Sequence, residues 1–333
     1  MKCETLEKYR VFPLLVVFML AEVLFVLGLG VLAIAYSFRH SAFGIWAIVL
    51  IGLSYWSGWT HSLTERNLSL IDSVSLQMPI VAAILFLPLA YRCRSQKLFV
   101  MSAIAVCSSL LSNLGAILTK GSVLPFLLLM LPAALLWSYN DTIWTFGQQR
   151  KLFQPIARRL AVIYLAGLFY WFSFYAAWIS SGWYSRLLKW RSLLSVGMIA
   201  AVAIGQWIYL VIQAREWKSA MIGSMLVMSS IVHFWHLRVE AIPVFAAIVF
   251  NALLGVLAIV AIQKGLKTRE RRAFWLGAIA LSWQILSRLL EYDPSSILRV
   301  LMIAGLGGSA IAAGLWFEFR DRAPLANSPE SPH

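Results

Sequence analysis

Long, continuous apolar runs separated by short polar stretches constrain this chain more than any other feature of its sequence. In hydrocarbon, backbone N–H and C=O groups must pair within the spanning structure, which leaves α-helices or closed barrels. A spanning helix needs about 20 mostly apolar residues, whereas a barrel strand shows about 10 residues of alternating pattern. The runs here do not alternate. The expectation is therefore an all-α, polytopic transmembrane helical bundle of about eleven spans, with ten to twelve compatible. Composition agrees: 61% of the residues are hydrophobic and 13% charged, where soluble domains run at about 45–50% and about 25%.

The spans are read at 11–36, 43–59, 70–91, 98–118, 123–137, 160–179, 193–212, 220–236, 241–262, 273–289 and 298–317. The second, fifth and eighth are short. Residues 1–322 are read as a single transmembrane helical domain, and 323–333, polar with two Ser-Pro pairs, as a disordered tail. Ala33 and Ala35 form an A-x-A site, but the run before them is longer than the roughly 7–15 residues of a signal h-region. A retained first helix is expected.

The net charge is +14. In a soluble protein this would point to nucleic acid. Here the bases sit in short loops beside apolar runs, where they set orientation, so no nucleic-acid partner is expected. One set of loops holds Arg92, Arg94 and Lys97, then Arg150, Lys151, Arg158 and Arg159, then Arg215 and Lys218, then Lys264, Lys267, Arg269, Arg271 and Arg272, and finally Arg320 and Arg322. The alternate loops are poorer in bases. The richer set is expected on the cytoplasmic side, which puts the C-terminus inside and the N-terminus outside. Lys2, Lys8 and Arg10 run against this assignment, with only Arg39 in the next loop. Cys3, Cys93 and Cys107 show no C-x-x-C spacing, and the topology separates Cys3 from Cys93.

Ionisable and strongly polar groups inside a membrane are costly, which makes them the first functional suspects. At about 1.5 Å per residue, Glu22 and Asn251 fall near the midplane of the first and ninth spans. Glu22 is either a proton-coupling or cation-contacting group, or a neutral acid bonded to another helix. Gln284, Arg288 and Glu291 share one face of the tenth span, and Arg299 follows the next turn. They form either an outward-facing anion site or a hairpin whose arginines pair locally with Glu291 and Asp293. Asn251, Gln284, Arg288, Arg299 and Glu22 are the ligand or proton-coupling candidates.

His233 and His236, with Glu240 nearby, supply the donor types of a zinc site, but H-x-x-H alone is unspecific. No metal is assigned, and these histidines are its weak candidates. No cofactor is expected. The sixth span is rich in rings, and as an unbroken helix it places Trp171, Phe174, Tyr175 and Trp178 on one face, for packing, lipid contact or a pocket. Gly305–Ala310 satisfies G-x-G-x-x-A, yet no strand or βαβ unit surrounds it. Its small residues recur four apart and suit close helix approach instead.

From Asn251 the chain reads N-A-L-L-G-V-L-A, then Gly265-Leu266, Arg271-Arg272, Gly277, Arg288 with Glu291-Tyr292, Arg299, a Gly-rich span and Glu318. This region, 251–322, resembles the C-terminal part of bacterial multi-pass membrane proteins classed as domain of unknown function twenty-one fifty-seven. The resemblance implies a bacterial inner (plasma) membrane address. The family has no agreed activity, so it implies no catalytic residues.

Three functional readings stay open. The first is a membrane protein that binds or transports a small solute or lipid. The second is a membrane-embedded enzyme acting on a lipid-linked substrate at the outer interface, through His233, His236, Glu240, Arg288 and Arg299. The third is a structural or assembly partner without a small-molecule site. Membrane lipid is the expected partner, and a membrane-protein companion or a homo-oligomer is left open.

Overall fold

A computed structural model describes residues 3–62, 77–117, 129–141, 152–179, 190–212 and 217–291, together with 300, 301, 303–305, 307, 308, 312, 314 and 315. Among these residues the chain is all-α, with no strand. The helices are α1 Cys3–Phe38, α2 Ser41–Ser62, α3 Met78–Cys93, α4 Gln96–Ile117, α5 Leu131–Ser138, α6 Gln154–Phe172, α7 Ala176–Ile179, α8 Trp190–Ile212, α9 Trp217–Arg238, α10 Pro243–Thr268 and α11 Arg271–Glu291. Among the described residues two stretches, Leu20–Phe38 and Pro243–Thr268, are long and apolar enough to cross a membrane. Shorter apolar helices run over Ser41–Ser57, Met78–Cys93, Gln96–Ser112 and Gly197–Leu210.

Where the sequence is read as one domain, the residues pack as two compact units: Met1–Leu165 with Trp183–Val239, and Ala166–Gly182 with Glu240–His333. We call these unit 1 and unit 2.

Unit 1 is organised by two tight helical hairpins, α1/α2 and α3/α4. Each first helix ends in an arginine with left-handed backbone, Arg39 (φ 53) and Arg94 (φ 48). At Arg94 the turn closes as a Schellman-type cap, with the Ser95 N–H donating to Ala90 O at 3.3 Å. The hairpins pack side by side. A Cβ placed on Gly44, in the first turn of α2, would lie 2.8 Å from Leu98 Cδ1 and 3.0 Å from Leu89 Cδ2, so a side chain there would have to push these leucine methyls aside. The Ser54 hydroxyl donates to Ala21 O at 2.7 Å, joining α2 to α1. Pro88 interrupts the backbone ladder of α3, and the Tyr36 hydroxyl of α1 donates to nearby Leu85 O at 2.6 Å. Leu89, Leu98, Phe86, Phe99 and Phe153 fill the core between these helices. Indole N–H groups tie α5 to its neighbours, Trp207 donating to Ala134 O at 3.1 Å and Trp137 to Ser219 Oγ at 3.0 Å.

Unit 2 is organised by a third hairpin, α10/α11, with the same turn. Arg269 is left-handed (φ 53), and the Glu270 N–H donates to Gly265 O at 3.0 Å. A Cβ on Gly277 of α11 would sit 2.7 Å from Ala258 O of α10, so this crossing needs a residue without one. Fully buried Phe250 centres the unit, with the rings of Phe169, Phe172 and Trp178 5.5–5.7 Å away.

One span departs from its expected form. Residues 160–179 are read as a continuous helix, but α6 ends at Phe172 and helix resumes only at Ala176. The expected shared face is lost with it. Trp171 is exposed, Trp178 is buried, and Phe174 turns over a guanidinium.

Candidate functional site

The gap between α6 and α7 leaves backbone groups without helical partners. Such groups must be satisfied by other means when removed from water. Four side chains do this. The indole N–H of Trp178 donates to Phe172 O at 2.7 Å. Ser173 O accepts from Asn251 Nδ2 at 3.0 Å and from Arg288 Nη1 at 2.8 Å. The Tyr175 N–H donates to Glu291 Oε1 at 2.9 Å. Arg288 Nη2 also donates to Ser173 Oγ at 3.0 Å, and Nη1 pairs with Glu291 Oε2. The guanidinium lies over the Phe174 ring, 4.1 Å from its centroid, a cation–π arrangement.

Helix spacing explains the convergence. Gln284, Arg288 and Glu291 occupy one stripe of α11, and that stripe faces Asn251 and the gap. Gln284 Nε2 donates to Asn251 O at 2.8 Å and to Asn251 Oδ1 at 3.1 Å. This orients the Asn251 amide so that its Nδ2 points at Ser173 O. Two buried atoms of this knot, Gln284 Oε1 and Arg288 Nε, have no hydrogen-bond partner. The knot therefore presents one acceptor and one charged donor beyond its internal bonds. Its ionisable groups are one guanidinium and one carboxylate, which suits binding and positioning rather than nucleophilic chemistry.

Asn251, Gln284 and Arg288 are thus brought together, as is the Arg288–Glu291 pair expected of the local hairpin. Glu22 lies on α1 in unit 1, exposed, one residue beyond buried Ala21. Arg299 and Asp293 lie outside the described residues. His233 is fully buried, its Nδ1 2.8 Å from Ser229 O one helical turn back. His236 is half-buried and Glu240 exposed. Among the described residues no three His, Cys, Asp or Glu side chains are grouped so as to hold a metal ion.

Unit 1 contains a second polar centre. Asp141, 2% exposed, accepts the backbone N–H groups of Phe153 at 3.0 Å and Gln154 at 3.1 Å, capping the start of α6. Its other oxygen accepts from the Tyr91 hydroxyl. That uses the Tyr91 proton, so Tyr139, 2.7 Å away, donates to the Tyr91 oxygen. Burial pushes the Tyr139 phenol above its usual range, which keeps it a donor. Phe99 stacks on Phe153 at 4.7 Å and closes the centre.

Compared with known proteins, the chain matches no family model, no curated protein and no solved structure.

Proposed function

We propose that this chain is a multi-pass integral protein of a bacterial inner membrane that binds or moves a small solute or lipid, with the interrupted helix of unit 2 as its working site. The observation that carries the site is the gap at 173–175, whose backbone is held by Arg288, Asn251 and Glu291. Irregular backbone at membrane depth is tolerated where protein buries it or where it lines a water-filled cavity. In many transporters such interruptions mark the substrate site. The unused Gln284 oxygen and Arg288 Nε–H give a ligand one donor and one acceptor to meet.

The membrane address is supported by apolar side chains on the outside of both units, among them Val26, Trp46, Leu276 and Ile279. A water-soluble chain rarely exposes so much apolar surface. The two membrane-length helices and the resemblance of 251–322 to the inner-membrane family point the same way. About eleven spans with a cytoplasmic C-terminus remain our topology. A second reading, an assembly partner without a ligand, is favoured by one observation: most polar groups of the knot already satisfy each other.

Thiol accessibility separates these readings. Ser173→Cys, in a chain with Cys3, Cys93 and Cys107 changed to Ser, is treated in intact cells with a membrane-impermeant thiol reagent. Modification from the outer side is expected if a water-filled path reaches the knot. Modification only after denaturation would mean a dry knot and would move the assignment to the assembly reading.

A further inference from the structure

The hairpin turns of unit 1 carry a concentration of bare positive charge that the solute site does not use. Arg39, Arg92, Arg94 and Lys97 are all exposed. Neither 33–45 nor 88–103 contains an Asp or Glu. None of the four cations has an ion-pair partner among the described residues. The nearby acid, Asp141, is committed to the α6 cap and to Tyr91.

The two turns lie together. Gly44 of the first hairpin is in contact with Leu98 and Leu89 of the second. Arg92 and Arg39 both act on the Cys93 thiol, opposing the upward shift that burial gives it. The unit 2 turn differs. It has more bases, but Glu270 stands among them and pairs with Lys264 at 3.7 Å.

Apolar surface continues beside the unit 1 cations. Phe38, adjoining Arg39, is 75% exposed, and Ile34 one turn earlier is 43% exposed. Like charges gathered at a helix end repel one another unless a counter-anion joins them. An anion with an acyl chain meets both features, its phosphate among the guanidinium forks and its chain along the apolar helix face.

We propose that the paired turns of unit 1, through Arg39, Arg92, Arg94 and Lys97, form a binding site for the headgroup of an anionic phospholipid. This rests on the membrane reading and is independent of the solute site.

The test uses the full chain purified in uncharged detergent, with thermal unfolding followed as lipid is added. Phosphatidylglycerol is expected to raise Tm, while phosphatidylcholine and inorganic phosphate leave it unchanged. The shift should fall by at least half in the variant R39Q/R92Q/R94Q/K97Q. It should persist in K264Q/K267Q/R271Q/R272Q, which removes as much charge from the unit 2 turn. If the first variant does not fold, Arg92→Gln and Lys97→Gln are read singly, and each should reduce the shift. Equal stabilisation by phosphatidylcholine, full reproduction by phosphate alone, or equal loss in both multiple variants would each overturn the proposal. A chain that stays monodisperse without detergent would instead overturn the membrane reading beneath it.

Discussion

In unit 1 a carboxylate, Asp141, receives two backbone N–H groups at the start of α6; in unit 2 a guanidinium, Arg288, donates to the carbonyl released just beyond the end of that helix. The chemistry is opposite because helix ends are. The first turn of a helix exposes donors and its last turn exposes acceptors, with partial charges to match. Asp141 gathers two backbone amides and a phenol. The gap in unit 2 exposes both a carbonyl and an amide, Ser173 O and the Tyr175 N–H, so it needs donor and acceptor side by side. Arg288 and Glu291, one turn apart on α11, supply both and neutralise each other. The polar centre of unit 2 thus rests on a charge pair, in which removing one charge leaves the other half-buried without it.

That contrast is sharpest at Arg288. Arg288→Met strips Glu291 of its partner and Ser173 O of a donor. Breaking a fully buried ion pair on one side costs about 3–5 kcal/mol, and this half-buried pair should lie near the lower end of that range. The double variant Arg288→Met/Glu291→Gln should cost less than the sum of its single changes, because it leaves no lone charge. Denaturant unfolding in a fixed detergent checks both. Additive effects would mean that the pair is not coupled.

Asp141→Asn should cost less, about 1–3 kcal/mol. The amide keeps the size and one acceptor of the acid but loses the charge that draws Phe153 N–H, Gln154 N–H and the Tyr91 hydroxyl together. Unfolding under the same conditions gives the ranking. A loss as large as that of Arg288→Met would erase the proposed difference between the units.

The sequence makes part of this legible. The apolar runs predict an all-α chain, and the spacing of Gln284, Arg288 and Glu291 predicts a shared face that the structure contains. The gap in residues 160–179 is not legible locally, since neither Pro nor Gly marks positions 173–175. Its partners lie far along the chain, 78 residues away at Asn251 and 115–116 at Arg288 and Glu291. The available signal is a surplus: Arg288 and Asn251 are strong donors in apolar segments, and while Asn251 reaches Ala247 O of its own helix, the donors left over imply acceptors elsewhere. Asp141 is missed for a related reason. Gln154-Pro155 announces a helix start, but the capping acid stands twelve residues before the first amide it holds, beyond any local capping motif.

The smallest effect concerns the turns and bears on what separates the units at their basic ends. Arg39, Arg94 and Arg269 all hold left-handed backbone, where glycine avoids a strain of about 1–2 kcal/mol. Part of that gain is offset by the greater freedom glycine gives the unfolded chain. Each Arg→Gly change should therefore stabilise the protein by about 0.5–1 kcal/mol in uncharged detergent. In phosphatidylglycerol the three should diverge. Arg39→Gly and Arg94→Gly surrender a cation that the lipid phosphate engages, so their gain shrinks or reverses. Arg269→Gly, in the turn where Glu270 supplies an internal counter-anion, keeps its gain. Thermal unfolding of the three variants in both media measures this. Parallel behaviour at all three positions would show that the unit 1 turns hold lipid no differently from the turn of unit 2.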